Sequence, residues 1–85
     1  MGYTSLPAIT GRQLIRLLQK DGWIVGRKAN HGRTLFKDCS GRKIVTFVPE
    51  KSANLPDVTL SQILGTKQTG LGKKGLLELL NKYGL

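Results

Sequence analysis

Between Gly22 and Pro49 the chain runs through three short stretches rich in β-branched and aromatic residues, separated by turns too tight to hold a helix. The stretches cover residues 23–28, 33–37 and 43–48, and the turns between them read Asn30-His31-Gly32 and Asp38-Cys39-Ser40-Gly41. Parallel neighbours need a long crossover, so strands joined this closely run antiparallel. The result is a three-stranded meander with one face in need of an apolar cover, and helices are the only candidates to supply it.

Those helices flank the meander. Thr10 is a fitting N-cap for a helical run to about Asp21, in which Leu14, Ile15, Leu17 and Leu18 make one apolar stripe. Arg12, Arg16 and Lys20 recur every four residues and so share a different, exposed face. Gly22 can take the left-handed conformation common just past a helix end. Pro49 stops the third strand, and a polar loop leads to a second helix over residues 57–68 with Val58, Leu60, Ile63 and Leu64 as its apolar positions. Gly70, Gly72 and Gly75 crowd the next stretch and weaken any local signal, and Gly70-Leu71-Gly72 reads as a helix break; after them Leu76, Leu77, Leu79 and Leu80 predict a short terminal helix. The expected fold is α+β, an α-β-β-β-α unit of one domain over residues 1–85. It has a three-stranded antiparallel sheet, helices on one face and a short extra C-terminal helix.

A chain of 85 residues buries only about 60–65% of its unfolded surface, so its site must be shallow and built from a few side chains. Fourteen Lys and Arg oppose five Asp and Glu, a formal charge of +9. Nine of those cations fall in residues 1–43 against only Asp21 and Asp38, while the remainder is nearly balanced. One-sided charge of this kind points to one face for a polyanion such as nucleic acid. Cys39 is the lone cysteine, which excludes an internal disulfide, makes a cysteine-based metal site implausible and fits a reducing, cytoplasmic compartment. No apolar run approaches a membrane span, and the N-terminus lacks a signal-peptide layout.

The one histidine, His31, falls in the first turn, with Lys28, Asn30, Arg33 and, further along, Lys37 around it. A turn histidine is often only a polar surface residue. An imidazole among cations can also do chemistry: it can take the proton of a ribose 2′-hydroxyl while the cations hold charge building on the phosphate. Other chemistries fit less well. The five carboxylates are scattered rather than clustered for two metals, and one His with one Cys does not make a zinc site. No cofactor and no metal are expected. The charged stripe Arg12, Arg16, Lys20 and the turn bearing His31 can reach a duplex together, the combination used by double-stranded-RNA-binding domains.

Gly11-Arg12-Gln13-Leu14-Ile15 with Lys20-Asp21-Gly22-Trp23, then Asn30-His31 and Val48-Pro49, and last Leu60 to Leu64 with Thr69-Gly70-Leu71 follow one another in order. They resemble the opening, the middle and the end of the HicA-type, or YcfA-like, mRNA interferase toxins. The resemblance implies a double-stranded-RNA-binding-like fold and metal-independent mRNA cleavage by a histidine at the position of His31. It also implies a type II toxin held inactive by a HicB-type antitoxin that covers the histidine. Two departures stand out. Ala29-Asn30 replaces the frequent Gly-Ser before the histidine, and Glu50-Lys51 stands where many members carry a second histidine. The stretch Gly65-Thr66-Lys67-Gln68 is also longer than usual. Two other readings compete with a ribonuclease: a non-catalytic RNA-binding module, and a basic protein that docks an acidic partner.

Overall fold

The computed structural model describes residues 3–29, 31–50, 52–65 and 68–84. Thr10 opens α1 (Gly11–Lys20) with a reciprocal pair of bonds: its hydroxyl accepts from the Gln13 amide at 3.1 Å, and the Gln13 side chain accepts from the Thr10 amide at 3.0 Å. Two amide donors at the helix start are thereby satisfied. At the other end Gly22 takes a φ of 96°, so its own amide reaches the Gln19 carbonyl and the Trp23 amide reaches that of Leu18, both at 3.0 Å. This is a Schellman turn, which glycine enters without the Cβ clash other residues meet. Leu14, Ile15, Leu17 and Leu18 are buried, and Arg12, Arg16 and Lys20 are exposed, as their spacing predicts.

The chain then forms β1 (Ile24–Ala29), β2 (Gly32–Cys39) and β3 (Arg42–Pro49), an antiparallel sheet in the order β1-β2-β3. Strand β1 lies one residue later than expected, and β2 and β3 approach each other more closely than expected, because Asp38 and Cys39 pair within the sheet and Ser40 and Gly41 alone join the two strands. Both have positive φ, 51° and 81°, as a tight hairpin turn requires. Pairing between β2 and β3 is unbroken from Cys39↔Arg42 to Gly32↔Pro49. On the other side a bulge between Val25 and Lys28 shifts β1 against β2. Leu35, Thr46 and Val48 turn inward and are buried, while Ile24, Val45 and Phe47 on the opposite face are 41–55% exposed.

The inner face is covered by α1 and by α2 (Asp57–Leu64), with α3 (Gly72–Tyr83) packed mainly on those two helices. Helix α2 ends four residues before its expected end. Thr69 closes it, donating both its amide (3.0 Å) and its hydroxyl (2.7 Å) to the Ile63 carbonyl. Leu60, Ile63 and Leu64 are buried, but Val58 is 70% exposed, since it lies on the far side of the helix from them. Helix α3 is not the short piece the sequence suggests: at 12 residues it outruns α1. Gly75, a poor helix former by propensity, lies inside it, and a Cβ there would come to 3.0 Å from the Leu71 side chain, so the position favours glycine. Tertiary packing overrides the local signal.

The core gathers Ile9, Trp23, Leu35, Val48 and Leu55 with leucines from all three helices. Ile9 belongs to the stretch before α1, which is pinned down by a 2.8 Å bond from the Leu55 amide to the Ile9 carbonyl. No helix among the described residues is long and apolar enough to cross a membrane.

Candidate nucleic-acid interface

The β2–β3 register decides what surrounds His31. Pairing that starts at the Ser40-Gly41 turn and runs to Gly32↔Pro49 places Glu50 beside His31, and the Glu50 amide donates to the His31 carbonyl at 3.2 Å. The segments Asn30-His31 and Val48-Pro49-Glu50, far apart in sequence, therefore meet at one corner of the sheet. Gly32 makes that contact possible. It is buried against β3, and a Cβ on it would overlap the Val48 carbonyl oxygen and lie 2.8 Å from the Pro49 Cα. The His31 residue itself is exposed, and among the described residues no hydrogen bond or ion pair engages its imidazole. Asn30 and Lys51 lie outside the described residues.

Beside this corner an open cleft of about 470 Å³ separates α1 from the sheet. Arg12, Arg16 and Gln19 line it from α1, Val25 and Arg33 from β1 and β2, and Glu50 from just past β3. His31 is not part of its wall but adjoins it through Gly32-Arg33 and through its bond to Glu50. Arg33 Nε donates to Glu50 Oε2 at 2.8 Å, and Lys28 Nζ lies 3.6 Å from Glu50 Oε1. The hydrogen bond from Arg33 holds the Glu50 carboxyl below the ordinary carboxylate range against the opposing effect of desolvation, and the charges of Arg33 and then Lys28 add to the lowering.

The sequence-predicted residues thus divide. Arg12, Arg16 and Arg33 share the cleft, and Lys28 reaches its rim through Glu50. Lys20 is exposed at the end of α1. Lys37 is elsewhere, separated from His31 by about 20 Å of extended strand. Its ammonium donates to the Asp21 carbonyl at 2.9 Å and to the Asp21 carboxylate at 3.2 Å, tying β2 to the end of α1. Glu50 is the residue the sequence reading passed over as a mere substitution. A two-residue turn at Ser40-Gly41 would have revealed it, because that turn pairs position 31 with position 50. Among the described residues no group of three or more His, Cys, Asp and Glu is assembled.

Fold and cleft together define a small α+β protein with a basic groove built on one helix and the sheet edge. Residues 11–71 match the family model described as the HicA toxin of bacterial toxin–antitoxin systems. The match covers most of the chain and runs from the start of α1 to the threshold of α3, and the chain belongs to the HicA toxin family. As a member of a toxin–antitoxin family it has an antitoxin as its partner. The curated proteins and the solved structures contain no significant match.

Proposed function

We propose that this chain is a metal-independent endoribonuclease that cleaves mRNA in the cytoplasm, with His31 as its base and a HicB-type antitoxin as its restraint. The observation that carries the reading is the exposed imidazole of His31, held by its backbone at the edge of a groove lined by Arg12, Arg16 and Arg33. His31 takes the proton of a ribose 2′-hydroxyl, and the freed oxygen attacks the adjacent phosphorus. The bond to the 5′ oxygen breaks, leaving a 2′,3′-cyclic phosphate, and solvent protonates the departing oxygen at this open corner. Arg33, with Arg12 and Arg16, holds the charge that builds on the phosphate. Glu50, kept ionised by its cations, is unsuited to donate that proton.

Lys20 extends the α1 face along the RNA backbone, and Asn30 is expected to contact the strand next to His31. Recognition of this kind follows A-form shape and phosphates more than sequence. Induced expression in a bacterium tests the reading. The wild-type chain arrests growth and degrades mRNA in the presence of a chelator, whereas His31→Ala does neither yet still binds RNA. Equal toxicity of the variant removes His31 as the catalyst, and a variant that keeps neither binding nor fold removes the corner as the site.

A further inference from the structure

The positive groove carries a carboxylate in its wall, where a nucleic-acid site would be expected to exclude one. Glu50 contributes to the wall formed by Arg12, Arg16 and Arg33, and its two oxygens are divided between two cations, Oε2 to Arg33 and Oε1 to Lys28. Arg33 offers through its guanidinium the planar fork that suits a carboxylate and a phosphate equally well. The Glu50 side chain is 19% exposed and the Lys28 side chain 66%, so the pair stands at the solvent boundary. Ion pairs in such places are weakly held and exchange readily.

We propose that Glu50 is an internal stand-in for an RNA phosphate: its carboxylate occupies Arg33 and Lys28 in the unbound chain and is displaced when a phosphodiester enters the groove. This rests on the groove being the RNA-binding site, as argued above. Exchange of one anion for another on the same two cations makes RNA compete with a ligand that is always present, and so sets a threshold for binding. It also keeps Arg33 extended toward the groove in the free protein, so the guanidinium is already placed when phosphate arrives. The bond from the Glu50 amide to the His31 carbonyl fixes the backbone on either side of this exchange. The carboxylate can therefore swing away while the base stays where it is.

The test uses a short 2′-O-methyl RNA, which cannot be cleaved, with affinity measured by fluorescence anisotropy over a range of salt. Glu50→Gln removes the charge and keeps the shape, and Glu50→Ala removes the contact altogether. Both should bind about threefold to tenfold more tightly than wild type at low salt, the size expected from removing one unit charge a few ångströms from a phosphate near water. The advantage should shrink as salt screens it. In an Arg33→Gln background the effect of Glu50→Gln should fall to less than half, since the two share one interaction. Thermal melts of each variant confirm that folded protein is compared.

Unchanged or weaker binding by both folded Glu50 variants, while Arg12→Gln/Arg16→Gln still weakens it, overturns the stand-in role and leaves the groove as the RNA site. Weaker binding that is restored by Glu50→Asp would make Glu50 a positioning residue instead, and also overturns it. If wild type and every variant fail to bind, the groove itself is misassigned, and the proposal falls with it.

Discussion

Arg33 and Lys37 sit four residues apart on β2, turn to the same face and each meet a carboxylate, with side chains 35% and 30% exposed. Their surroundings separate them. Lys37 bonds both a side chain and a main-chain carbonyl at the end of α1, so it fastens a strand to a helix. Arg33 meets Glu50 inside an open cleft, whose other wall carries two more arginines. Lys37 is engaged in joining a strand to a helix, and Arg33 is the cation that the proposed exchange would use. A surplus of positive charge therefore says that a polyanion can bind, but not which charges will bind it.

The largest contrast should come at the open end of the strand. His31→Ala is expected to lower RNA cleavage at least about 100-fold, the low end of what a positioned base contributes. Its melting temperature and its affinity for uncleavable RNA should stay near wild type, as checked by calorimetry and anisotropy. Next come the two cations themselves. Arg33→Met should weaken RNA binding about tenfold, as losing one charge-assisted contact implies. It should move the melting point little. Lys37→Met should do the reverse, leaving RNA affinity within about twofold but lowering stability by about 1 kcal/mol, or about 5 °C in a domain of this size. Should Lys37→Met weaken RNA binding as much as Arg33→Met, the distinction between the two ends disappears.

Much of this was legible in the sequence, because local chemistry dictated it. The Thr10 cap, the Gly22 stop and the alternation of leucines with cations on α1 are short-range patterns, and all appear in the structure. The strands and their antiparallel order followed from turns too short for anything else. What escaped was settled by contact between distant segments. Gly75 fits inside α3 because Leu71 crowds it, and Thr69 ends α2 by reaching back to Ile63. The pairing of Arg33 with Glu50, and of Lys37 with Asp21, depends on register and on where α1 lies against the sheet. Residue type and spacing carry neither fact.

Smaller effects sharpen the same comparison. Replacing Arg16 and Lys20 together by Gln should flatten the salt dependence of RNA affinity by about one to two units of log–log slope, at about 0.7–0.9 for each phosphate contact. An unaltered slope would move the backbone contact off α1. The smallest effect concerns pH. Because the folded chain holds the Glu50 carboxyl below its ordinary range, its contribution to stability is complete above the unfolded value and is lost as pH falls through the folded one. Wild type should accordingly melt slightly above Glu50→Gln at neutral pH, and the two should converge in strong acid. A gap that persists there would mean that the bond, not the charge, stabilises the fold.

Gly32 has a consequence for how loss of toxicity would be inherited. With no room for even a methyl group between it and β3, a pool of random variants selected for survival should collect changes at position 32 as well as at 31. The two classes would look alike on a plate and, on the proposed mechanism, differ in kind: one would lack the reagent, the other would still carry it but aim it wrongly. Free imidazole added to purified protein would tell them apart, since it can replace a missing ring in His31→Ala but cannot realign a displaced one.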